Sequence, residues 1–158
     1  MFVIGYKVLN SDMTNRYGDK YVIGKTYHAE GELKWGNLGN GFHLCTNLED
    51  CFRYVKAKDS LITEVIGFGK LLEYNDEYYG YYDMYVAEYM RIIRIISRDE
   101  IINASKFLSD DRLVRLIQTY PMSDEEVEDV SEHAKDKIKV LKAIKYYHYN
   151  DKNAYRRK

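Results

Sequence analysis

The chain has 158 residues, 46% of them apolar, the size and composition of one folded domain with a continuous core. Its 24 basic and 25 acidic residues leave a net charge of −1. This excludes a global field that would draw it to nucleic acid or an anionic membrane, so a charged partner must meet a local patch. No apolar run approaches the roughly 20 residues of a transmembrane helix, and the opening Met1-Phe2-Val3-Ile4-Gly5-Tyr6-Lys7 reads as a strand rather than a leader peptide. Both features point to the cytoplasm.

In chain order, residues 2–9 alternate loosely and end in the polar cluster Asn10-Ser11-Asp12, which predicts a first strand leaving the core by a turn. Residues 21–27 read as a short second strand. Four glycines in 31–41, with Asn37 and Asn40, predict an exposed loop, since these residues tolerate positive φ. A third strand at 41–45 runs into Thr46 or Asn47 as cap of a helix over 48–55, whose first turn carries Glu49 and Asp50 where the macrodipole favours acids.

Residues 61–72 read as a strand in which Gly67 and Gly69 mark a bulge or a close backbone approach, and 88–96 as its partner. Helical spacing of Leu113, Leu116, Ile117 and Tyr120 predicts a helix over 110–120, ended by Pro121. Ser123-Asp124-Glu125-Glu126 is a capping box, and the acids and later lysines behind it predict one long helix. Its stripe of Val127, Val130, Ala134, Ile138, Leu141 and Ile144 lasts under three heptads, which favours docking on the rest of the domain over an oligomeric coiled coil. The expected fold is therefore α+β: a mixed or antiparallel sheet, a short helix after the third strand and a C-terminal pair of helices. We expect one domain over 1–158, sheet-containing to 105 and helical from 106.

The four histidines are scattered, with no pair at a zinc-ligand spacing, so no metal is expected. Cys45 and Cys51 form no disulfide framework, and reduced thiols are the expectation. His43 and Cys45 share a strand face, which would bring a thiol near an imidazole or simply pack that face on the next helix. Phosphate-cradling glycine loops, the nucleophile elbow of hydrolases and the His-Glu-x-x-His helix are absent from the sequence.

Tyrosine is the compositional outlier, with 17 copies against 5 phenylalanines and 1 tryptophan. Between Glu73 and Tyr85 aromatic rings interleave with carboxylates and no basic residue intervenes. Such a surface repels phosphate, which argues against single-stranded nucleic acid. It suits either a protein contact centred on Tyr79, Tyr81 and Tyr82 or a hairpin whose tyrosines lie flat on the sheet. The tail Arg156-Arg157-Lys158 reads as a solvated terminus.

The stretch Gly41-Phe42-His43-Leu44-Cys45-Thr46-Asn47, with the opening Gly5-Tyr6-Lys7-Val8 and the later Thr63-Glu64-Val65-Ile66-Gly67, resembles a group of small bacterial and phage-encoded domains of no assigned activity. More remotely, the order of elements resembles the ADP-ribosyltransferase fold. That resemblance implies NAD held by Tyr6 or Lys7 on the first strand, His43 and Thr46 around the second, and Tyr54 on the helix, with Glu88 as the catalytic acid stabilising positive charge on the ribose. Leu44-Cys45-Thr46 stands where the family has Ser-Thr-Ser, and Ala87-Glu88 where it has Glu-x-Glu. Two functions follow as expectations: a protein-binding module of phage or mobile-element type, needing no cofactor and binding neither nucleic acid nor membrane, or a transferase-like NAD-binding enzyme, active or degenerate.

Overall fold

The computed structural model describes residues 1–57, 59–78, 80–120 and 122–143, with only the backbone of Tyr82 and Thr119. The protein is α+β, with an antiparallel five-stranded sheet, a short helix after the third strand and C-terminal helices. It divides into two units, Met1–Ile96 and Ser97–Lys158. Among the described residues no helix is long and apolar enough to cross a membrane.

The first unit contains strands β1 (Phe2–Leu9), β2 (Thr26–His28), β3 (Phe42–Cys45), β4 (Leu61–Asp76) and β5 (Tyr81–Ile95). Helix α1 (Leu48–Cys51) runs into a 3₁₀ turn, Phe52–Tyr54. The strands nearly close on themselves. β1 pairs with β4 from Phe2↔Phe68 to Leu9↔Leu61, β4 pairs with β5, β5 with β3, and β3 returns to β1 at Tyr6↔Cys45. Closure of this kind hides the unpaired backbone groups of sheet edges. β2 extends the same edge of β5 beyond β3.

A ring of so few strands leaves little interior volume, and glycine provides it. A Cβ on Gly5 would fall 2.5 Å from the Cys45 carbonyl oxygen, and one on Gly67 would fall 2.8 Å from both Ala87 Cβ and Leu44 Cδ2. Leu44, Val65, Ala87, Met90 and Ile92 fill the space and are buried. The expectation at Gly67 and Gly69 thus resolves into both of its options. Gly67 is the close approach, and Gly69 lies in the register shift between Phe68 and Leu71, a bulge.

Three boundaries differ from expectation. β2 is confined to Thr26–His28, because the chain turns at Gly24: its N–H goes to the Ile92 carbonyl and the Lys25 N–H to that of Val22. The tyrosine and acid run is mostly strand, β4 continuing to Asp76 and β5 starting at Tyr81, with the Gly80 N–H closing the turn on the Glu77 carbonyl. The helix after β3 tightens into a 3₁₀ turn at Phe52.

The second unit contains α2 (Arg98–Ser105), α3 (Asp110–Thr119) and α4 (Asp124–Ser131). Capping boxes start α2 and α4: Ser97 and Ser123 accept from the N–H of Glu100 and Glu126, whose carboxylates reach back. The expected long helix instead stops at Ser131, and residues 137–143 are helical again. The Asp110 carboxylate accepts the Lys135 and Asp136 N–H groups at 2.9 and 2.8 Å, and Asp136 caps the new turn through the Lys139 N–H. The interruption shifts the helical phase. Val127, Val130 and Val140 are buried, while Ile138 is 66% exposed. Pro121, Ile144 and the basic tail lie outside the described residues.

Candidate functional site

One cleft of about 770 Å³ opens in the first unit, within the size range of small-molecule sites. Its floor is β1 and β3, its wall the end of the 3₁₀ turn and the start of β5, and its rim two loops. The first loop, after β1, is pinned by the bridge Thr14↔Lys20 and by Asn15, whose side chain accepts the Tyr17 and Asp19 N–H groups. The second is the expected glycine loop, pinned by Lys34↔Asn40, with the Asn40 amide donating to the Glu30 and Glu32 carbonyls. The loops meet at Asn37, which accepts from Arg16 Nη2 at 3.1 Å on its side chain and from the Tyr17 hydroxyl at 2.7 Å on its carbonyl.

The aromatic wall is built on Trp35. Tyr74 stacks on it at 4.2 Å and 8°, Tyr81 meets it edge-on at 5.5 Å, and His43 lies 5.0 Å away. His43 works as a clasp. Its Nε2 accepts the Gly36 N–H at 3.1 Å and its Nδ1 faces the Gly41 carbonyl at 3.2 Å, which assigns the neutral tautomer with the proton on Nδ1. Burial, and the nearby Lys7 ammonium, push its pKa down and keep it neutral.

Alternation along β1 puts Lys7 on the same side as Val3, Gly5 and Leu9. Its half-buried ammonium donates to the His43 carbonyl at 3.0 Å and has no carboxylate partner among the described residues. Burial is the main reason its pKa lies below the ordinary lysine value, and the Arg16 guanidinium pushes the same way. Among the described residues Lys7, Arg16 and Lys56 line the cleft against a single carboxylate, Asp19. In a chain of net charge −1 this is a local cationic site.

The expected site residues divide. Tyr6, Lys7, His43 and Tyr54 all face the cleft. Burial holds the Tyr54 phenol well above its ordinary pKa, so it is a donor at neutral pH. Thr46 does not face the cleft, since its hydroxyl donates to the Asp83 carbonyl at 2.8 Å. Glu88 is also elsewhere. Its carboxylate accepts the Lys70 N–H at 3.0 Å, satisfying the bulge backbone, and lies 3.6 Å from His28 Nε2. That backbone bond is the main cause of its lowered pKa. The donor set that the transferase resemblance assigns to NAD is thus only partly assembled, and the residue named as its acid stands outside it.

Of the tyrosines expected to meet a partner, Tyr81 is half-buried in the cleft wall, with the Arg53 guanidinium 4.5 Å above its ring. Tyr79 lies outside the described residues, as does the side chain of Tyr82. Cys45 and Cys51 are free and buried together with Met84. Burial raises the Cys51 pKa, and the adjacent Cys45 thiol adds to it, so Cys51 stays protonated. No cluster of potential metal ligands occurs among the described residues.

Arg16, Tyr17 and Trp35 were not among the expected site residues. Asn15-Arg16-Tyr17-Gly18-Asp19 carries a turn signal that would have located the first loop, but not its meeting with Asn37. No curated protein matches the chain, and no solved structure does. A family does match, over residues 3–104, which include every residue lining the cleft. The chain belongs to that family, described as Domain of unknown function (DUF7666).

Proposed function

We propose that residues 1–96 are a binding module whose cleft takes a small anionic ligand. The observation that carries this reading is the pair Lys7 and Arg16, two cations lining one cleft with no carboxylate partner among the described residues. A half-buried cation is ordinarily paired, so Lys7 beside open volume, with the exposed Arg16 at the rim, is a site for a negative group. The aromatic wall gives a ligand apolar area to cover.

Calorimetric titration of the full chain with pyrophosphate and with NAD tests it. Saturable heat that Lys7→Met weakens by roughly tenfold or more, the value of one charge-assisted bond, and that Glu88→Gln leaves unchanged, supports the reading. Absence of heat from both probes at millimolar concentration sinks it.

A second reading is a protein contact at the β4–β5 turn, favoured by Tyr78, which is 88% exposed beside Asp76 and Glu77. It predicts that replacing Tyr78, Tyr79 and Tyr82 by serine abolishes capture of a partner and leaves the anion titration intact. Capture that survives the triple replacement removes this reading.

A further inference from the structure

Lys7 combines three features that ordinary surface lysines lack. It sits on a strand in the floor of a cleft, its ammonium meets a neutral carbonyl and no acid among the described residues, and a second cation, Arg16, is held at the rim by Asn37. We propose that Lys7 is a reactive amine that forms an imine with a small anionic aldehyde or keto acid, with Arg16 receiving the ligand's negative group. This rests on the ligand-binding reading above and names the chemical class of its ligand.

An amine attacks a carbonyl only when unprotonated, and the surroundings of Lys7 favour that form. Its first hydrogen bond survives deprotonation, since a neutral amine still donates to the His43 carbonyl. Burial and the neighbouring guanidinium both lower its pKa, and no carboxylate opposes them among the described residues. The Cys45 and Cys51 thiols act in the opposite direction, and burial outweighs them.

The step balances without a redox partner. The Lys7 nitrogen bonds the carbonyl carbon and the carbonyl oxygen takes up a proton. Nitrogen supplies that proton and gives up its second one as the hydroxyl leaves as water, and the carbon–nitrogen double bond forms. His43 takes no part, both its ring nitrogens being engaged on the glycine loop.

The test is reductive trapping on the full chain. The protein is incubated with pyruvate and cyanoborohydride near pH 7, and labelled lysines are mapped by peptide mass. Lys7 should be labelled severalfold faster than any surface lysine, because its pKa is lowered and more of it is neutral. Arg16→Gln should slow labelling by pyruvate but not by uncharged propanal, because only the keto acid carries the group that Arg16 receives. Labelling spread evenly over the lysines, or a Lys7 left unmodified, overturns the proposal. Titration with lactate, the unreactive analogue, separates the two failures. Lactate binding without a Lys7 adduct defeats the imine alone, whereas absence of binding by lactate, pyrophosphate and NAD together defeats the ligand reading as well.

Discussion

The contacts that define the sheet unit join residues far apart in the chain, such as Phe2 with Phe68 and Tyr6 with Cys45, and at its centre they are steric and apolar. The helical unit is set mainly by caps and charges: Ser97 with Glu100, Ser123 with Glu126, Asp110 with two backbone N–H groups, and Arg98 with Glu126. The first kind of fixing responds to volume and barely to solution conditions. The second responds to pH and salt. A binding cleft that must keep two cations in place is better built on the first.

The sharpest way to break this contrast is to add volume to the ring. Gly67→Val should cost about 3 kcal/mol, because its branches would have to displace Leu44 and Ala87. Urea unfolding followed by Trp35 fluorescence would show it, and a loss below about 1 kcal/mol would mean that the ring is not tightly packed.

A smaller effect belongs to the rim. His43→Ala should cost about 2 kcal/mol through two lost hydrogen bonds and a lost ring contact. Proteolysis should become faster within 31–41 while the helical unit is unaffected. Unchanged proteolysis would show that Lys34 and Asn40 hold the loop alone.

The smallest effect is electrostatic and confined to the second unit. Arg98 donates to both oxygens of Glu126, at 2.6 and 2.5 Å, and its side chain above all holds the Glu126 pKa at about 2, below the ordinary 4.5. A depressed carboxyl stabilises the fold above its unfolded pKa. The contribution is therefore complete above about pH 5 and disappears as pH falls from 4.5 towards 2. With Arg98 42% exposed, screening reduces it to about 1 kcal/mol. Glu126→Gln should remove that acid-dependent loss of helicity, measured by circular dichroism, and a wild-type helical signal flat from pH 5 to pH 2 would refute the pair's role.

Much of the sheet was legible because its signals are local. β1 shows alternation, β3 runs straight into a cap and helix, and Gly67 and Gly69 stand where no side chain fits or where the strand bulges. The Ser123 box was read while the same Ser-x-x-Glu pattern at Ser97 was not, although it starts α2 in the same way. The break after Ser131 was hidden because its cause, Asp110, lies in another helix. Lys7, His43 and Tyr54 were named as one group and do share the cleft. Arg16 was missed since its partner Asn37 is on a different loop, and Glu88 was given a catalytic place although its carboxylate serves a bulge formed by the opposite strand. Pairings across loops and strands leave no periodic trace in either partner.

The pairing of β1 also has a consequence in time. Phe2–Leu9 finds its long partner only at Leu61–Phe68, so during synthesis an apolar segment emerges before its partner and waits while the residues between are made. The β4–β5 hairpin can form by itself once Ile95 has emerged, and it then offers the template on which the waiting strand is captured. Until that moment the nascent chain carries an unmatched apolar strand, the kind of segment through which chains misassemble.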